Sequence, residues 1–439
     1  MSLRQPITLG LRRLAGPVAL SLLCSTYPLL GAEGAAGAAR PDSDTAPKTA
    51  EPAEPTAAPK PAAAHTAISA EAKSLLALGA KLTDRGDFPS AEVAFRQILD
   101  RRGFTVTDQK PALLGLARMY RKAGNLTKTT AVYEKFVKEF PDDDRVPDSL
   151  LDLGRTLRAM GAYKLALSRF YSVINSTLKV DADQFDHYQQ LAKTAEYEIA
   201  ETYYEAAEYS EAGKYFMRLQ LLDLAPVDRA RALFMAAHSQ LLAGETEAAV
   251  HTLHTFLDQW PTDENMPEAM FLLATSLRQM NRPQEALQVT LDLLKTVQNS
   301  SGADPRVRAY WQRRTGNLLA NDFFQNGDTM SALAIYRRLV ELDPTPAWCL
   351  PVAYQVGLCY ERLHMTDKAK TTYQTIIDGA TAKPGATAPD ASIVELAHMA
   401  TWRLNYIAWL DDTAVRLNVI ETPGLAPERK PPAPPSPPS

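Results

Sequence analysis

The sequence predicts an all-α solenoid of about eight helical hairpins closed by a C-terminal capping helix. Three observations predict it. A small residue recurs at Gly79, Ala117, Gly154, Ala200, Ala237, Ala274, Ala320 and Gly357. Twelve positions after each of these anchors stand Ala91, Thr129, Ala166, Ala212, Ala249, Ala286, Ala332 and Ala369. Alanine fills seven of these eight positions, where chance gives less than one. Sixteen and nineteen after each anchor come large residues such as Phe95 and Ile98, Tyr133 and Phe136, or Phe170 and Val173. A pattern that returns in phase at 37–46 residues marks a stack of similar units.

The first element is an export segment. Residues 1–13 carry Arg4, Arg12 and Arg13, and Leu14 to Leu30 is uncharged. Small residues follow at Gly31, Ala32, Gly34 and Ala35, which completes the plan of a signal peptide over residues 1–32. Cleavage is expected near Ala32. Retention as an anchor and lipidation at Cys24 are the alternatives. Pro17 and Pro28 oppose a spanning helix, and Leu23 is bulky for a residue preceding a lipidated cysteine. Residues 33–67 are mostly Ala, Pro, Glu, Lys and Thr, and so are expected to form a disordered, extended linker.

The solenoid is expected over residues 68–380. In each unit, apolar residues one before and three after the anchor share a helical face, as Leu78 and Leu82 do. Seven after the anchor, Gly86, Gly124, Gly161 and Gly244 suit a left-handed turn. A second helix then carries the alanine, the aromatic and the aliphatic on one face. The small anchor and the alanine let the paired helices approach closely. Pro141, Pro261 and Pro344 stop second helices, while Pro147 and Pro267 suit first turns of the next ones.

Two anchor spacings are nine residues longer than the usual 37 and fall at the same place in a repeated 37, 46, 37 series. This predicts a 120-residue internal duplication, and residues 140–167 align on 260–287 without gaps. The extra residues place helical extensions at Asp181–Lys193 and Ala303–Arg313. Thr129, Thr290 and Gln240 depart from the pattern and predict looser hairpins. Apolar periodicity from about Ala391 to Asp412 gives the capping helix, within residues 390–415. Residues 416–439 read as a disordered tail, and Pro431-Pro432-Ala433-Pro434-Pro435-Ser436-Pro437-Pro438 favours a polyproline II helix suited to an aromatic groove.

Composition bounds the function. With 439 residues, 46% apolar and 22% charged, the chain is neither wholly disordered nor a multi-span membrane protein. A net charge of −4 gives no general attraction to nucleic acid, so no nucleic-acid partner is expected. Three cysteines exclude a disulfide framework. Cys349 and Cys359 are expected as free thiols, about 15 Å apart if helical. There is no phosphate loop, nucleophile elbow or zinc-protease helix, so no cofactor and no enzymatic activity are expected. Glu247, His251 and His254 share a helical face, but the inward face of that helix carries Ala249, Leu253 and Phe256. They therefore read as a solvated face, with no metal site expected.

The small residue, alanine, aromatic and terminal proline in this order resemble the tetratricopeptide repeat (TPR) family, over about residues 70–378. The resemblance implies a right-handed superhelix whose first helices line a concave groove. On that groove it places Arg118, Arg121, Arg155 and Arg158, then Tyr197, Tyr204, Phe234, Phe271, Phe324 and Tyr354. Arginines at one end and aromatics at the other suit an extended segment with an acidic end. The family's Lys/Asn carboxylate clamp is not reproduced. The junctions Phe140-Pro141-Asp142-Asp143 and Trp260-Pro261-Thr262-Asp263 resemble those of exported bacterial envelope TPR proteins. These are the Bam-complex outer-membrane-assembly lipoprotein type and the Tol-Pal-associated periplasmic type. The resemblance implies a non-enzymatic adaptor, periplasmic or outer-membrane-associated, that binds protein or peptide partners without an integral span. A binder of envelope polymer such as peptidoglycan, or of a lipid surface, is the alternative.

Overall fold

The computed structural model describes residues 68–177, 185–295, 304–380 and 390–421, with side chains omitted at Thr177, Phe185 and 418–421. The chain divides into units Met1–Ala64 and His65–Ser439. The first unit lies outside the described residues, as do the expected signal peptide, linker and residues 422–439.

The described part of the second unit is all-helical. Eight hairpins follow in order: α1 (Ala70–Arg85) with α2 (Phe88–Asp100), α3 (Val106–Lys122) with α4 (Leu126–Glu139), α5 (Val146–Ala159) with α6 (Tyr163–Thr177), and α7 (Phe185–Glu205) with α8 (Tyr209–Arg218). They continue as α9 (Pro226–Leu242) with α10 (Thr246–Gln259), α11 (Met266–Gln279) with α12 (Pro283–Lys295), α13 (Pro305–Gln325) with α14 (Thr329–Leu342), and α15 (Pro346–Arg362) with α16 (Thr366–Ala380). The last helix, α17 (Ala391–Glu421), packs on α16 and α15. It runs beyond the Ala391–Asp412 segment that apolar periodicity marks. Helix-compatible residues continue there, and Arg416 pairs with Asp412 one turn away at 3.0 Å. No helix among the described residues is long and apolar enough to cross a membrane.

The repeat positions form the core. Each of Ala91, Thr129, Ala166, Ala212, Ala249, Ala286, Ala332 and Ala369 is fully buried. So are Ile98, Phe136, Val173, Leu219, Phe256, Leu293, Leu339 and Ile376. The anchors are small because the facing ring fills their space. A Cβ on Gly154 would stand 2.5 Å from Phe170, and one on Gly357 would stand 2.5 Å from Tyr373. Thr129 and Thr290, which replace an alanine and an aromatic, are both fully buried. Their hydroxyls donate to the carbonyls of Asn125 and Ala286 at 2.8 and 2.7 Å, so neither buried hydroxyl is left unmet. Gln240 is only half-buried, and its Oε1 has no hydrogen-bond partner.

Every hairpin turns through a left-handed residue seven after its anchor. Gly86, Gly124, Gly161, Gly244 and Gly327 supply it in five hairpins, and Ala207, Asn281 and His364 in three. In three hairpins the next residue caps the second helix. Asp87, Asn125 and Asp328 accept from the backbone N–H groups of Ser90, Lys128 and Ser331.

The helix starts follow a 120-residue period. Helices α3, α9 and α15 begin at Val106, Pro226 and Pro346, in two steps of 120 residues. The longer spacings become helix: α7 and α13 have 21 residues each, against 14 for α5 and α11. The junctions also repeat. The N–H groups of Asp143 and Val146 donate to the carbonyls of Phe140 and Asp143, and those of Asp263 and Met266 donate to the carbonyls of Trp260 and Asp263.

Candidate partner-binding face

The first helices pack on one another along the solenoid, α1 on α3, α5 on α7 and α11 on α13. Residues one and four after an anchor therefore face the first helix of the next hairpin. This brings three of the four groove arginines against acids. Arg121 meets Asp152 at 2.6 Å, and Arg155 meets Glu198 at 2.5 Å. Arg158 reaches Glu198, Glu201 and Glu205 at 2.8, 3.1 and 3.6 Å. The ladder goes on with Arg231 and Glu201 at 3.4 Å, and with Arg278 and Asp322. Three of the four arginines thus bridge hairpins. Arg118 is exposed and has no ion-pair partner among the described residues.

Beside Arg118 lies a cavity of about 640 Å³ between α1 and α3. Leu76, Ala80, Phe95, Pro111 and Gly115 give it apolar walls, and Arg118, Arg121 and Lys122 give it a basic side. Gly115 leaves room for the Phe95 ring, since a Cβ there would stand 2.4 Å from it. Lys122 is held by Asp84 at 3.0 Å. The cavity suits an apolar group followed by a negative one.

The aromatic positions divide. Phe234 is buried against Phe256 and is core. Tyr354 packs on Tyr373 with ring centroids 5.6 Å apart. Tyr197 is half-buried with the Arg231 guanidinium 5.7 Å from its ring centroid. The Tyr204 hydroxyl bonds His238 Nδ1 at 3.0 Å. Burial pushes the Tyr204 phenol up to about 12 and lowers the His238 imidazole. Phe271 sits against Trp311 at 5.0 Å, with Arg314 over both. Arg362 lies over Phe324, and its Nη1 donates to the Phe324 carbonyl at 2.8 Å. Nearby, desolvation raises the carboxyls of Glu205 and Glu268.

Sequence reasoning did not select Asp152, Glu198, Glu201, Arg231, Trp311 or Arg314. Acids two before the anchor, at Asp152 and Glu198, carried the missing signal. His251 and His254 are exposed on α10, and no group of three potential metal ligands occurs among the described residues. Cys349 and Cys359 are free thiols, and burial pushes the Cys359 thiol up to about 12.

Three comparisons with known proteins bear on this face. A family described as outer membrane lipoprotein (YfiO) matches residues 189–310. The tetratricopeptide repeat family matches residues 111–143 and 352–378. No curated protein matches the chain. Among solved structures, the chain is similar to a tetratricopeptide repeat protein from Parabacteroides merdae, at 12% identity and TM-score 0.39, covering 76% of this chain and 100% of that one. It is also similar to the C-terminal part of a TPR repeat-containing protein from Cytophaga hutchinsonii, at 13% identity and TM-score 0.43, covering 62% and 96%.

Proposed function

We propose that this chain, a tetratricopeptide-repeat protein resembling bacterial cell-envelope TPR proteins, is a non-enzymatic adaptor of the cell envelope. Its first-helix face takes a segment of a partner protein. One observation carries the reading: the exposed Arg118 stands over the apolar cavity of α1 and α3 while the neighbouring arginines are neutralised by acids. An apolar side chain of the partner enters the cavity, and an adjacent carboxylate meets Arg118. The half-buried Tyr197, Tyr204, Phe271 and Phe324 offer further contact along the face. The outer-membrane-lipoprotein match over residues 189–310 and the basic, apolar, small-residue N-terminus support placement in the envelope.

The test is a quantitative pull-down from an envelope fraction with parent protein and an Arg118→Glu variant. Retained helicity with at least tenfold weaker capture of partner is expected for the variant. Equal capture moves the site off this cavity, and absence of any captured protein at all salt concentrations removes the adaptor reading. Arg155→Glu is a poor probe, because it sets a second carboxylate against buried Glu198.

A further inference from the structure

One contact between first helices recurs with a part missing. In α9, Arg231 stands six residues before its anchor and lies over Tyr197 of α7, its guanidinium 5.7 Å from the ring centroid. Glu201, one turn further along α7, completes the contact with a carboxylate at 3.4 Å. Ring, carboxylate and arginine hold fixed places: three before one anchor, one after it, and six before the next.

In α13, Arg314 holds the place of Arg231, and Phe271 of α11 holds the place of Tyr197. The Arg314 guanidinium lies 5.2 Å from the Phe271 centroid, so the stacked half of the contact is repeated. The carboxylate is not. Thr275 stands where Glu201 stands, and its hydroxyl donates back to the carbonyls of Phe271 and Leu272 at 2.9 and 3.0 Å. Arg314 is exposed and has no ion-pair partner among the described residues. Desolvation raises the Glu268 carboxyl and the Arg314 charge opposes that rise, yet no ion pair joins the two. Two more rings brace the guanidinium, Trp311 at 5.5 Å and the exposed Tyr310 at 5.8 Å, whose hydroxyl accepts from Arg314 Nη1. One period of 120 residues earlier, Gln190, Leu191 and Thr194 stand in place of Tyr310, Trp311 and Arg314. The ringed arginine therefore belongs to the α13 extension alone.

We propose that Arg314 is a second carboxylate seat on the first-helix face. An acidic side chain of the partner takes the place that Glu201 fills beside Arg231, and an adjacent aromatic side chain lies against Tyr310 and Trp311. A guanidinium over ring faces keeps its N–H fork free at the edge, in a form that matches a carboxylate. Bracing it before the partner arrives lowers the ordering cost of binding. The inference rests on the first-helix face being the partner-binding face and is independent of the Arg118 cavity.

The experiment uses the full chain with fluorine-labelled tryptophan, whose five resonances are assigned by single Trp→Phe replacements. The probes are the acetylated, amidated tetrapeptide Gly-Phe-Glu-Gly and its Gln and Lys counterparts. Saturable movement of the Trp311 signal is expected with the Glu peptide, and binding weaker by about tenfold with the Gln peptide. Thr275→Glu supplies the missing carboxylate from within the chain and is expected to abolish the response. Thr275→Gln, of the same size, is expected to keep it, and Arg314→Gln to lose it with helicity retained. A still Trp311 signal, or equal binding of the Glu and Gln peptides, overturns the proposal. Preference for the Lys peptide overturns it and assigns the seat to Glu268. A response that survives Thr275→Glu also overturns it. In an Arg118→Glu protein the Trp311 response is expected unchanged, so failure of the Arg118 cavity reads separately; loss of the response there overturns a second, independent seat.

Discussion

At the turn of each hairpin one residue adopts a positive φ, and five of the eight are glycine. Ala207, Asn281 and His364 hold the same position at φ of 61°, 57° and 56°. A side chain in this region costs roughly 1–2 kcal/mol, least for Asn. Ala207→Gly and His364→Gly are therefore expected to stabilise by about 1 kcal/mol each, less the added freedom of the unfolded chain. Urea titrations against the parent check this, and Asn281→Gly should change stability least. The buried alanines predict the opposite sign. Ala212 is fully buried against α9, so Ala212→Leu overpacks the hairpin at a cost of about 1–3 kcal/mol. A melting temperature equal to the parent's would place Ala212 away from the helix interface.

Between hairpins, the junction turn before α5 depends on one carboxylate. Asp143 accepts from Arg145 through backbone N–H and guanidinium at 3.1, 2.8 and 3.0 Å, and pairs with Lys110 at 2.9 Å. Burial alone would raise its pKa, but the hydrogen bonds from Arg145 and Lys110 outweigh this and hold it well below the usual carboxylate range. A depressed carboxylate stabilises the fold above its unfolded pKa of about 4. That stability is lost as pH falls from there through the folded value. Asp143→Asn is expected to lose about 1–3 kcal/mol at pH 7. Its deficit should shrink below pH 4, as measured by urea unfolding across pH. A constant deficit would mean that Asp143 acts through packing alone. Asp108 behaves alike at the start of the array. It accepts from the N–H groups of Ser69 and Thr105 at 2.8 and 3.0 Å, and those bonds lower its pKa.

Over the whole array, each hairpin contacts mainly its neighbours, so stability is a sum of units and interfaces. The arginine–acid ladder belongs to those interfaces. Arg155→Glu is expected to cost about 1–3 kcal/mol, because it leaves Glu198 facing a like charge. The exposed Arg118 makes no such contact, so Arg118→Glu should leave the melting curve within about 0.5 kcal/mol of the parent while lowering partner capture. Equal loss of stability in the two variants would dissolve the distinction between bridging and available arginines.

The sequence by itself determined the eight hairpins, their turns and the 120-residue spacing of their helix starts. It could do so because helix pairing within a hairpin depends on residues 12, 16 and 19 apart in one short stretch. Small anchors, buried alanines and left-handed turns each leave a mark at a fixed offset. The charge state of the first-helix face left a weaker mark, the acids Asp152 and Glu198 two before their anchors. Arg118, Arg121, Arg155 and Arg158 look alike as a repeated pair. Only the packing of α5 and α7 on their neighbours showed that Asp152 and Glu198 neutralise three of them. Likewise Phe234 stands in the same repeat position as Phe271, yet it is core, because Phe256 and its surroundings enclose it. Charge pairing and burial across hairpins depend on the register of neighbouring helices, which tertiary packing sets and a single repeat does not contain.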